Sequence, residues 1–167
     1  DLLVLVGHVQ RLRHRFQHAL HRHQVAIGAA QAAGGRRVVC FAGDGSLQMD
    51  GYRITPLQPF SIEARVLGRE DYHFDAGAGV SPTDLALGWG PMADPQVLAN
   101  IRIRQSNRWY HWQVESFPIP RREIEIHSAN MHMIPANAAV AATLADVRAG
   151  QRIRLSGQIG RASCRER

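Results

Sequence analysis

Residues 101–115 read "IRIRQSNRWYHWQVE", and they decide the class of this fold. Branched and aromatic side chains alternate with polar ones on both sides of Ser106-Asn107. Strand, turn, strand is therefore expected, in the form of a hairpin. Alternation sets Arg108, Tyr110 and Trp112 on one face of the second strand, and Trp109 and His111 on the other. With Arg102 and Arg104 this makes a basic, aromatic ribbon of the kind on which single-stranded bases stack. Cross-strand packing and pairing with Glu115, Glu123 and Glu125 is the competing expectation.

The neighbouring sequence extends the β pattern. In "SIEARVL", residues 61–67, Ile62, Ala64 and Val66 share one face, and Pro56 and Pro59 upstream are expected to break the strand in two. Residues 123–135 are expected to form an extended segment ended by Pro135, and "QRIRLSG" a further strand. Helix signals are short. Ser81 and Pro82 can open a helical turn over "PTDLAL". "DPQVLANI" reads as a second, and "NAAVAATLADVRAG" as a third with Asn137 as its N-cap and Gly150 as its stop. Short strands around one or two helices, without βαβ regularity, predict an α+β class. The expected form is a small, mainly antiparallel β domain over residues 50–158, with a less defined N-terminal segment, helix then strand, over 1–49.

Charge argues against one class of partner. The chain carries a net charge of +6, and all of its basic residues are arginine. Residues 1–49 hold six arginines against Asp1 and Asp44, and residues 159–167 hold three against Glu166. Between them, eleven arginines meet eleven acids. The surplus lies at the two ends, so residues 50–158 carry no strong nucleic-acid signal. Cys40 and Cys164 also fall outside that region, which excludes a cysteine-based zinc site within it.

The candidate ligand-binding residues are Trp89, Arg108, Trp109, Tyr110, His111, Trp112, His127, Ser128, Asn130 and His132. His127 and His132, five apart, point to opposite faces of a strand, and converge on a metal with His111 and Glu125 only around a bulge. A hydrogen-bonded polar cluster that fixes a loop is the expectation for them, and no metal is assigned. The loop acids Asp71, Asp75 and Asp84 are expected to be solvated. No nucleophile elbow occurs, and Ser128 beside His127 is no triad by adjacency. The chain is read as a non-enzymatic binding or structural module without a cofactor.

Four resemblances add to this. "DLALGWGPMAD", "QSNRWYHW", "PIPRREIEIHSANMHMIPA" and "VRAGQRIRLSG" resemble a family of uncharacterised proteins from Gram-negative bacteria, covering residues 50–157. The resemblance implies a fold unit, a membrane-anchored full form and a place at the periplasmic face of the inner membrane, but no chemistry. "VRAGQRIRLSG" also resembles strands of oligonucleotide-binding (OB) barrels, which implies an OB-like barrel and single-strand binding as an alternative. "AIGAAQAAGGRRVVCFAGDGSLQM" resembles thiamine-diphosphate enzymes of the acetolactate synthase type, which implies magnesium and thiamine diphosphate held through Asp44. The Asn-Asn pair that should follow is missing. In residues 7–24, Val9, Leu12, Phe16 and Leu20 have the spacing of an amphipathic helix, with His14 and His18 one turn apart. Residues 159–167, "IGRASCRER", resemble a translated sequencing adapter, so they are expected to be an artefactual tail with few core contacts.

Overall fold

The computed structural model describes residues 2–11, 47–49, 52–74 and 77–164. In chain order these form β1 (Leu2–Arg11), β2 (Leu47–Met49), β3 (Tyr52–Asp71) and β4 (Thr83–Gly88). A 3-10 turn (Gly90–Ala93) and α1 (Pro95–Leu98) lead to β5 (Arg102–Ser106) and β6 (Trp109–Gln113). Then come α2 (Arg121–Ile126), β7 (Ser128–Pro135), α3 (Ala138–Ala145) and β8 (Arg152–Cys164). The class is α+β, rich in strands that are mostly antiparallel.

One sheet carries the fold, in the order β2-β3-β4-β7-β1-β8, with β8 pairing also with β3. Its one parallel pair among the described residues joins β1 to β7. Strand β3 is the longest element because its core residues keep strict alternation: Phe60, Ile62, Ala64 and Val66 are buried, and Ser61, Glu63 and Arg65 are not. The expected break at the two prolines does not occur. Between its pairings with β2 and β4, β3 is bonded on the β8 side alone. A missing N–H at Pro59 therefore costs no ladder bond on the open side. A register shift between Pro56 and Gln58 marks the strain that remains.

The core gathers β3 with Leu85 and Leu87 of β4, Met131 and Met133 of β7, and Ile153 and Leu155 of β8. Helix α3 closes one end, burying Val140 and Leu144. Asn137 caps it as expected, its Oδ1 accepting from the Val140 N–H at 3.0 Å. Arg69 binds the other end, donating to the carbonyls of Leu144 and Val147. A cation is stabilising there, against the negative pole of the helix.

Several local expectations are corrected. Residues 83–88 form a fully buried strand rather than a helical turn: packed on both faces, β4 loses the polar alternation that would have marked it. Residues 121–126 form helix α2, and the strand starts at Ser128. The helical spacing from Val9 fails at its start, since Leu2–Arg11 is a strand between β7 and β8. Phe16, Leu20, His14 and His18 lie outside the described residues, as does Asp44. Residues 159–164 continue β8, with Ile159 2 % exposed in the core, so the expectation of few core contacts fails at that residue.

Candidate functional site

Strands β4 and β7 have two buried faces, and the second holds the polar chemistry. Cross-strand register pairs Asp84 with His132, Ala86 with Asn130, and Gly88 with Ser128, all on the face away from Leu85 and Met131. The β5–β6 hairpin lies over this face. Small residues make room: a β-carbon on Gly68 would stand 2.4 Å from Gln105 Oε1 of the hairpin, and one on Gly88 would stand 2.3 Å from the Met92 carbonyl oxygen of the 3-10 turn. The register shift at Val66/Gly68 turns both Leu67 and Gly68 toward the hairpin. Leu67 joins a second apolar cluster there, built on Met92, Ile101 and Ile124, with Ile103 and Trp112 from the hairpin.

The hairpin turn is Asn107-Arg108, one residue later than the sequence indicated. Both residues have positive φ, 52° and 65°, as the two central positions of a type I′ turn require. Asparagine tolerates this region, whereas arginine is strained in it. What holds Arg108 is its surroundings. Its N–H donates to Tyr72 Oη at 2.9 Å, its Nη2 to the Ser81 carbonyl at 3.0 Å, and its Nη1 lies 3.4 Å from Asp84 Oδ1. The guanidinium stacks 4.1 Å from the centre of the Tyr72 ring.

Asp84 is the hub of the seam. It is fully buried, with His132 Nδ1 2.6 Å from its Oδ1 and the Asn130 Nδ2 donating to its Oδ2 at 3.1 Å. The two groups face each other at close range, off ideal hydrogen-bond geometry. Asn130 is fully engaged: Nδ2 also donates to the Arg108 carbonyl at 3.1 Å, and Oδ1 accepts from Gln105 Nε2 at 2.8 Å. Further along, Tyr110 Oη donates to Ser128 Oγ at 3.1 Å, which donates to the Ile124 carbonyl at 2.7 Å. Arg108, Gln105 and Tyr110 thus tie the hairpin to the sheet and to the loop beneath its tip, and Ser128 extends the chain of bonds to α2.

Burial shows in the phenols. The Tyr110 hydroxyl is pushed up by burial, against the Ser128 bond that lowers it. Burial, reinforced by the Asp84 carboxylate, pushes Tyr72 from 10.0 to about 12. At Asp71, burial is outweighed by hydrogen bonds from Arg69 and Thr83, which hold the carboxyl below its ordinary value. The Tyr72 shift has a definite sign. The folded chain keeps the phenol protonated where the unfolded chain loses its proton, so stability holds below pH 10 and falls from there toward pH 12. Denaturant titrations across this range are expected to show a steeper alkaline loss in the wild type than in Tyr72→Phe.

The candidate residues thus do not form one site. Arg108, Tyr110, Ser128, Asn130 and His132 meet in the seam, while Trp112 packs in the second apolar cluster. Trp109 and His111 stand on the opposite, outward face of the hairpin, with Trp109 60 % exposed. Trp89 and His127 form a separate site: their rings meet edge to face at 6.5 Å, and the His127 Nδ1 faces the carbonyl and carboxylate of Glu123. His127 therefore does not converge with His132, and no metal cluster is found among the described residues. Of the three glutamates expected to pair with this ribbon, Glu125 binds Arg121 and Glu123 binds His127, both within helix α2 and its cap.

Three partners were missed. Asp84 was expected to be solvated but is fully buried, and Gln105 and Tyr72 complete the network. The available signal was a lone acid at the head of the apolar run 85–88. Once that run is a buried strand, its acid must be paired. Compared with known protein families, curated proteins and solved structures, the chain matches none.

Proposed function

We propose that the chain is a non-catalytic binding module, and that the β5–β6 hairpin is the element it presents to a partner. The observation that carries this is the asymmetry of the hairpin. Its inward face is fixed to the sheet by the buried seam. Its outward face sets Arg102, Arg104, Ser106, Trp109, His111 and Gln113 in solvent, without a carboxylate among them. Neither Arg102 nor Arg104 pairs with a carboxylate among the described residues. Trp109, 60 % exposed, shares that face with Arg102 and Arg104, the aromatic and arginine composition that binding hot spots favour. The seam itself is a poor place for turnover, because Asp84 and His132 are 0 % and 2 % exposed.

An exported or membrane-anchored full form belongs to this reading, supported by the resemblance of residues 50–157. An OB-like barrel is the finer form of the fold that we propose: β8 returns to β3, and α3 connects β7 to β8. Thiamine-diphosphate chemistry is not favoured by the described chain. That cofactor's motif leads into a helix, whereas Leu47–Met49 and Tyr52–Asp71 are strands.

The test is photo-crosslinking in the cells that make the protein, with benzoyl-phenylalanine in place of Trp109 or, as a control, of exposed Ala142 on α3. A discrete adduct from position 109 and none from 142 is expected. Equal labelling from both sites would remove the hairpin from consideration.

A further inference from the structure

The outward face and the open edge of the hairpin together specify the chemistry of what binds there. We infer that β5 takes up an extended, acidic segment of a partner protein as an added strand, with Arg102 and Arg104 pairing to carboxylates spaced two residues apart. This rests on the hairpin being the presented element.

The main chain carries the first half of the inference. Strands β5 and β6 form a sheet of two, and neither pairs with a third strand among the described residues. The two-residue turn fixes the alternation of an antiparallel pair. Ser106 and Trp109 close the turn, so Ile103 and Gln105 direct their N–H and C=O groups away from β6. On the β6 side, Trp112 is flanked by Phe117, with ring centres 6.1 Å apart, and by the Arg121 guanidinium. Those side chains flank β6, and the edge of β5 carries no further strand among the described residues. Unpaired edge groups of this kind are the template for strand addition.

Charge carries the second half. Arg102 and Arg104 lie on one face of β5, about 7 Å apart at the rise of an extended strand. A strand added beside β5 has the same repeat, so carboxylates two residues apart fall opposite both guanidinium groups. A second copy of this chain is disfavoured, because pairing β5 with its own image sets arginine against arginine. A single-stranded nucleic acid needs an aromatic for successive bases and a longer run of cations. This face offers one exposed tryptophan and two arginines.

The experiment titrates the chain with a fluorescent decapeptide of alternating glutamate and valine. An alternating lysine–valine decapeptide and a thymidine dodecamer serve as comparisons. Binding of the glutamate peptide alone is expected, weakened by salt, with perturbed amide signals at Ile103 and Gln105. Arg102→Glu/Arg104→Glu is expected to weaken it by about tenfold or more. Both positions are exposed, and an unchanged thermal transition confirms that the variant folds. Equal binding of both peptides, indifference to the charge reversal, or tighter binding of the dodecamer overturns the inference. A specific crosslink from position 109 without glutamate-peptide binding would leave the hairpin as the binding element and remove the acidic strand.

Discussion

Asp84→Ala is expected to lower the unfolding free energy by about 3–5 kcal/mol, the range for removing one partner of a buried ion pair. The cost comes from what is left behind. The Arg108 side chain is 14 % exposed and loses its counter-charge without gaining water, and His132, 3 % exposed, loses its polar neighbour. Asn130 loses one of its two acceptors, and the turn at Asn107-Arg108 keeps its strain with less to hold it. The loss should be uneven. The hairpin depends on this seam, whereas the main core lies on the other face of β4. Urea unfolding followed by the fluorescence of Trp109 and Trp112, with Trp89 replaced by Phe, is expected to precede unfolding followed by far-ultraviolet circular dichroism. Coincident transitions with a loss under about 1 kcal/mol, the scale of a surface pair, would mean the seam contributes little.

Leu85→Ala, at the next residue, is expected to cost a comparable amount by another route. Leu85 is 0 % exposed and lies opposite Met131 in the main core. Truncation removes buried methyl groups and leaves a cavity, together worth about 2–5 kcal/mol. Here both probes are expected to shift together, because the sheet, not the hairpin, is weakened. Adjacent residues, both fully buried, then give opposite signatures according to the face they occupy. A Leu85→Ala variant that loosened the hairpin first would contradict the division of the two faces.

The class of the fold was legible wherever one face of an element meets water. Alternation in residues 60–66 and across the hairpin, and the cap at Asn137, all read directly. Strand β4 did not, because burial on both faces removes alternation, and "DLALG" then scans equally well as a helical turn. Helix α2 was read as a strand because "REIEI" alternates over five residues, too few to separate the two periods. The site was legible in residue type but not in partnership. Asn130 and His132 stood out as a polar cluster fixing a loop. The loop they fix begins 22 residues earlier, at Arg108, and no local pattern encodes that distance. Asp84 was hidden for the same reason: its partners come from two other segments, the hairpin turn and β7.

The most direct test of the latch between hairpin and sheet is native-state hydrogen exchange on Arg108→Ala. Arg108 touches Tyr72, Ser81 and Asp84 from the hairpin tip, and the main core contains none of these contacts. The expected result is an independent opening of β5 and β6: their amides exchange at a markedly lower free energy than in the wild type, while Ile62, Leu85 and Ile153 keep their full protection relative to global unfolding. Equal loss of protection in the hairpin and the sheet, or unchanged protection of the hairpin, would contradict it.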